Sequence, residues 1–155
     1  TSIWWKMIYI AHRGNLDGPN PEKENHPDYI SKATAAGYAA EVDVWYEQDK
    51  WMLGHDNPTY DVSDSFFDNK LLWCHAKNLA ALQQLSNLRV HYLWHQEDDV
   101  VLTSRGFFWT YPGKELVPKS IAVMPEIAVH STAAHCGGIC SDYIEKYACG
   151  ERKLL

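Results

Sequence analysis

Short apolar runs, each closed by turn residues, alternate along this chain with stretches of helical spacing. Met7–Ala11 is an apolar run of the kind that forms a buried strand, and it stops at a glycine turn. Tyr29, Ile30, Ala33 and Ala36 recur at helical spacing and predict a helix over His26–Ala36, closed by Gly37. Tyr38–Tyr46 follows as a second strand, and strand–helix–strand is by default a right-handed parallel unit. Further strands are predicted at Leu71–His75, Val90–Trp94, Phe107–Tyr111, Ser120–Met124 and Gly138–Ser141, with short helices over Asn78–Leu88, Asp99–Ser104 and Asp142–Tyr147. Such alternation belongs to an α/β parallel sheet, of which a closed barrel is one solution.

A (β/α)₈ barrel ordinarily needs about 250 residues, and about 200 at the low end. This chain has 155, and its loops Glu97–Phe107 and Gly113–Ser120 are too short for full crossover helices. The expectation is one domain over residues 1–155, a trimmed (β/α) TIM-type barrel of about seven to eight strands with several outer helices missing. Aromatic residues or a second copy of the chain would cover the bare strand faces, which favours a homo-oligomer.

Composition narrows the function classes. Hydrophobic residues make up 46% and aromatics 13%, which excludes a disordered chain. The seven Trp and nine Tyr are divided between the core and a cleft lined by flat rings, with the core taking the larger share. A net charge of -6 with scattered Lys and Arg lacks the footprint of a nucleic-acid or anionic-membrane binder. No apolar run approaches the ~20 residues that span a bilayer, and Thr1–Lys6 lacks the pattern of a secretory leader. Cys74, Cys136, Cys140 and Cys149 do not form a dense disulfide framework and read as reduced structural cysteines, so a cytoplasmic location is expected. Cys136 and Cys140 with His135 raise a zinc alternative, but their spacing is wide and no second pair follows.

Polar pairs two residues apart share a strand face, and they recur at successive predicted strand ends: Glu41/Asp43, His75/Lys77, His95/Glu97 and Trp109/Tyr111. Polar groups inside a ring of strands are costly unless they surround a ligand or one another, and the C-terminal rim is where barrel enzymes collect catalytic groups. Glu41 and Asp43 are hard donors suited to Mg²⁺ or Ca²⁺; the alternative is an exposed edge strand with alternating acids. His12 and His55 suit proton transfer near neutral pH. Arg13 offers a fork of donors matched to phosphate oxygens. Lys77 either neutralises a phosphate oxygen or is a solvated strand-end residue, and Asp56 either orients His55 or caps the next turn. Glu24-Asn25 is open between two roles: Asn25 as helix N-cap, or both residues at the rim of the site.

Ala11-His12-Arg13-Gly14, Glu24-Asn25, Glu41-Val42-Asp43 and Gly54-His55-Asp56, in that order, resemble the glycerophosphodiester phosphodiesterase family. The resemblance covers roughly the first half of the chain; Gly138-Ile139-Cys140-Ser141-Asp142 is similar to the family's closing strand. It implies metal-dependent hydrolysis of small glycerophosphodiester-like substrates, a step of lipid metabolism. His12 and His55 would be acid and base, Arg13 and Lys77 would bind phosphate, and Glu24 would support the site through hydrogen bonds or as an outer cation ligand. The family carries a third metal-binding Glu two residues before a Lys, and here His75 takes that place before Lys77. His75 itself, Glu97 or Glu126 would then complete the metal site; an imidazole favours Zn²⁺, Mn²⁺ or Fe²⁺ over Ca²⁺. Two alternatives stand beside this reading. One is a non-catalytic barrel that binds phosphate or sugar phosphates. The other is a zinc hydrolase built on His75, His95 and Cys74 or Glu97.

Overall fold

The computed structural model describes residues 6–130 and 136–154. Strand β1 (Ile8–His12) leads through a loop to α1 (Pro27–Ala35) and β2 (Ala39–Glu47). A hairpin then carries β3 (Lys50–Leu53) and β4 (Tyr60–Val62), and a 3₁₀ turn at Asp64–Asp68 leads to β5 (Leu72–Ala76). The rest of the chain is α2 (Leu79–Leu85), β6 (His91–Trp94), β7 (Val100–Leu102), β8 (Phe108–Thr110), β9 (Ser120–Val123), β10 (Gly138–Ser141) and α3 (Ile144–Ala148). His135, part of the zinc alternative, lies outside the described residues.

All ten strands belong to one sheet. Seven of them run parallel side by side in the order β6-β5-β2-β1-β10-β9-β8, and β7 adds to β8 antiparallel. The sheet curls so that the chain just after β7 returns to β6: Ser104 N–H donates to the Tyr92 carbonyl at 2.9 Å, and Tyr92 N–H donates to Ser104 Oγ at 2.9 Å. The mixed α/β class agrees with expectation, and so does the shortage of helices. Only α1, α2 and α3 occur among the described residues, and they pack on β1, β2, β5, β6 and β10.

One expectation needs correction, and one ribbon was not foreseen. Asp99–Ser104 contains no helix; Val100–Leu102 is instead the antiparallel partner of β8, with Val100 opposite Thr110. Val100, Val101 and Leu102 are apolar in succession, and the neighbouring strand offers them a ladder that a single helical turn would not. The β3–β4 ribbon was not anticipated either. Its turn places Gln48 and Asp49 at φ 50° and 61°, the left-handed pair that lets a two-residue hairpin follow the strand twist.

Alternation on β2 separates two cores. Ala40, Val42 and Val44 face outward against α1 and α2, with Ile30, Ala33, Ala81 and Leu85. Ala39 faces inward, where Ile10, Trp73, Leu93, Trp109 and Ile121 fill the hollow of the curl. Glu41 and Asp43 share that inward face and sit nearer the strand's C-terminal end.

His91 belongs to the inner packing. Its ring lies 3.8 Å from Trp73 by centroid, and Nε2 is 2.7 Å from Thr103 Oγ1. Burial, helped by the charge of Arg105, pushes the imidazole down to about 4. The folded chain therefore holds fewer protons than the unfolded chain between about pH 6.5 and 4. The stability contributed by neutral His91 is complete above that window and is lost as pH falls through it. His91→Gln keeps a partner for Thr103 without titrating. It should flatten the fall in denaturation midpoint between pH 6.5 and 4, measured by urea unfolding at stepped pH; an unchanged slope would exclude His91 as the source.

Candidate functional site

The register of three parallel strands assembles the site. Glu41 pairs with His12 across β1–β2, and Asp43 with His75 across β2–β5. Glu41 is 2% exposed and Asp43 1%, so each must find its partners within the protein.

Asp43 is the better served. Asn25 donates Nδ2 to its Oδ2 at 2.9 Å, while the Asp43 N–H donates to Asn25 Oδ1 at the same distance. His75 Nδ1 is 3.2 Å from Oδ1, His55 Nδ1 3.3 Å from Oδ2, and Arg13 Nε 3.5 Å from Oδ2. Burial alone would raise this carboxyl, but the contacts from His55, His75 and Asn25 hold it far below the usual range. Glu41 receives the Arg13 backbone N–H at 3.2 Å, with His12 Nε2 at 3.8 Å. Burial and the neighbouring Asp43 charge push Glu41 up despite those cations. One acid is firmly ionised, and the other is less well compensated.

Local backbone shapes make this convergence available. Arg13 and Asn25 adopt φ 54° and 67°, an uncommon conformation for residues with side chains, and the Asn25 N–H donates to the Arg13 carbonyl. Asn25 is therefore a clamp on Asp43. The helix cap falls to His26, whose Nδ1 accepts from the Asp28 N–H at 3.1 Å. Gly54 has φ 153°, and a Cβ there would overlap the Asn57 carbonyl oxygen. Its N–H donates to the Asp43 carbonyl and its own carbonyl accepts from Trp45 Nε1, so the turn holds His55 beside Asp43.

His12 has a partner of its own. Its Nδ1 is 2.7 Å from Asp142 Oδ1, which also accepts from Asn15 Nδ2 at 2.9 Å, and Tyr29 donates its hydroxyl to Asn15 Oδ1. Asp142 is held below the ordinary carboxylate range: burial opposes this, but the His12 contact outweighs it. Nδ1 is thus the protonated nitrogen, and Nε2 faces Glu41. Burial pulls the His12 imidazole down, yet the Asp142 hydrogen bond and the Glu41 charge lift it above its ordinary value.

Arg13 joins the two halves. Nη1 donates to Glu24 Oε1 at 3.2 Å, and Nη2 donates to His55 Nδ1 at 2.8 Å. Glu24 also accepts from the Asn20 N–H, so its role is to hold Arg13 by hydrogen bonds. Nδ1 of His55 can accept from Arg13 or donate to Asp43, not both at once, and the Arg13 contact is the shorter. Either way Nε2 is left towards the exposed side, with the Asp56 carboxylate, itself 88% exposed, at 3.7 Å.

These groups open into a cleft of about 580 Å³, within the roughly 300–1,000 Å³ usual for ligand pockets. His12, Arg13, Glu41, Asp43, His55, His75 and Lys77 all line it, as do His95, Trp109 and Tyr111. Two suggested ligands do not. Glu97 is exposed and not among the lining residues. Glu126 accepts from Ser141 Oγ at 2.9 Å and from the Asp142 N–H and Tyr147 hydroxyl, tying the end of β9 to β10 and α3. Cys74 is fully buried with its thiol pushed up by burial, and all four cysteines are free.

Glu41, Asp43 and His75 fit a divalent cation. One ligand atom from each lies within 4.8 Å of the other two, the only such group among the described residues. His75 Nε2 is 3.4 Å from the His95 carbonyl oxygen, to which it donates. That leaves Nδ1 turned to the acids, the tautomer a metal-bound imidazole adopts when its other nitrogen is tied to a backbone carbonyl.

Asp142 and Asn15 are site residues that sequence reasoning missed as such. The available signal was Ser141-Asp142 directly after a strand, the position from which the other polar groups enter the cleft. No family model, curated protein or solved structure matches the chain.

If Asp142 orients His12, Asp142→Asn should lower the His12 pKa relative to the parent protein, read from the imidazole proton shifts in an NMR titration. An unchanged titration curve would remove Asp142 from that role.

Proposed function

We propose that this chain is a metal-dependent phosphodiesterase acting on small glycerophosphodiester-like substrates, built on a trimmed (β/α) TIM-type barrel. One observation carries the reading: His12 and His55 flank a buried carboxylate pair, and an arginine spans the space between them. A cation held by Glu41, Asp43 and His75 supplies the charge needed to draw electron density from the phosphodiester oxygens. The seven adjacent parallel strands and the return of the chain after β7 to β6 support the barrel. A cytoplasmic setting accords with the four free cysteines.

The residues divide the proton transfers. Arg13 and Lys77 bind non-bridging oxygens of the phosphate, and the Arg13 guanidinium leaves His55 to do so. His55 then takes a proton from a nucleophilic hydroxyl, water or a hydroxyl of the substrate, as its oxygen bonds to phosphorus. The bond from phosphorus to the leaving alcohol breaks, and His12 delivers its Nε2 proton to that oxygen. His12 suits the acid role because Asp142 and Glu41 favour its protonated form. Asp142 keeps the ring from turning.

A panel of phosphodiesters assayed with EDTA, and with Mg²⁺, Ca²⁺ or Mn²⁺ added back, tests the activity. Turnover should require a cation, and His12→Ala or His55→Ala should lower kcat by roughly 10²–10⁴. Near-normal rates in both variants would overturn the assignment. Binding of phosphodiesters without turnover would favour the alternative, a phosphate-binding barrel whose His75 in place of an acid has cost it activity.

A nitrogen donor among the ligands should also shift metal preference. By calorimetry the parent protein should bind Mn²⁺ more tightly than Ca²⁺, and His75→Glu should narrow or reverse the order. Equal preference in both proteins would take His75 out of the ligand set.

A further inference from the structure

The lining of the cleft is segregated by strand. Every Lys, Arg, Asp or Glu that lines the cleft comes from β2 or from the residue just after β1 or β5, and His12, His55 and His75 come from β1, the hairpin next to β2, and β5. The opposite wall, contributed by β6, β8 and β9 and the segments that follow them, presents Trp94, Trp109, Tyr111, Val123, Met124 and Ile127. A phosphate with two small polar alcohols would have no use for this wall.

The wall carries no Lys, Arg, Asp or Glu, and besides the Tyr111 hydroxyl its polar members are His95 and Gln96. The His95 ring stacks on Tyr111 at 3.9 Å between centroids and 28° between planes. Burial and the Glu41 charge raise the Tyr111 phenol, which also hydrogen-bonds to Trp109. The wall also reaches the surface, because Ile127 lines the cleft and is 68% exposed.

On the other side of Arg13 and His55 lies a smaller polar pocket of about 240 Å³, lined by Glu24, Asn25, Asp56, Asn57, Thr59 and Tyr60 as well. The two residues assigned to the phosphate therefore stand between a polar pocket and an apolar wall.

We infer that the substrate is an asymmetric phosphodiester: a small hydroxylated alcohol occupies the polar pocket, and an extended apolar alcohol lies along Trp94, Tyr111 and Ile127. This rests on the phosphodiesterase reading and adds the substrate class to it. Tyr111 and Ile127 set the specificity, and neither takes part in proton transfer.

Two measurements separate this inference from the reading beneath it. The first is binding of straight-chain monoalkyl phosphates, methyl to hexyl, to the intact protein with Mn²⁺ present, by calorimetry. Affinity should rise about four-fold per methylene while the chain lies on the wall, the ratio given by about 0.8 kcal/mol per buried CH₂. Tyr111→Ala and Ile127→Ser should flatten that rise. Ile127 is exposed, so its replacement leaves the fold intact. Equal affinity for methyl and hexyl phosphate, a rise unchanged in both variants, or no binding at all would overturn the inference. The second is kcat/KM on glycerol phosphate diesters of methanol and hexanol, whose leaving groups are nearly alike in reactivity. A higher value for the hexyl ester supports the inference; turnover with no preference overturns it. Turnover of neither diester, alongside a steep binding series, would instead sink the phosphodiesterase reading and leave the apolar subsite standing.

Discussion

Two carboxylates buried on one face of one strand are the constraint around which this protein is arranged. Removing a carboxylate from water costs several kcal/mol even after relaxation, unless charges or donors replace the lost solvent. Asp43 obtains them from Asn25, Arg13, His55 and His75, which reach it from four separate segments. Glu41 obtains less: a backbone N–H and a histidine at 3.8 Å. Glu41 is thus the less compensated of the two acids, and with Asp43 and His75 it forms the group of ligand atoms that fits a cation. The left-handed backbones at Arg13 and Asn25, each costing of order 1–3 kcal/mol, are tolerated because they deliver a guanidinium and an amide to this place.

The same constraint accounts for the histidines. His12 stands between Glu41 and Asp142, so its proton is favoured on both sides, and its tautomer is set by the shorter contact. His55 has two claims on one nitrogen, from Arg13 and from Asp43, and a phosphate that engages Arg13 would leave the second claim unopposed. Below the acids the inward face becomes aromatic, with Trp73, His91, Phe107 and Trp109 in mutual contact. These rings fill the hollow of the curled sheet beneath the site.

Much of the site could be read along the chain, for a reason of geometry. Residues two apart on a strand share a face, so Glu41/Asp43, His75/Lys77 and Trp109/Tyr111 announced themselves by spacing, and each pair lines the cleft. His95/Glu97 obeyed the same spacing and failed at its second member: His95, Lys77 and Tyr111 lie one residue past their strands and still follow the alternation, whereas Glu97 lies three past the end of β6 at Trp94. Asn25 resembled a helix cap because it precedes a helix, yet its side chain turns to Asp43, and its neighbour His26 caps instead. Glu126 offered an acid after a strand, but the serine and tyrosine that occupy it come from other segments and leave no local trace.

Periodicity and residue type by themselves determined the mixed α/β class, seven of the ten strands, the scarcity of helices and the set of histidines, arginine and acids. These are properties of local spacing, which a strand or helix expresses wherever it is placed. The tertiary structure alone decided which acids converge with His75, that Asp142 holds His12, that residues 100–102 extend as a strand, and that the cleft has a charged side and an apolar one. Each of these depends on register between strands distant in the chain, and register is set by packing across the sheet, which no stretch of sequence contains.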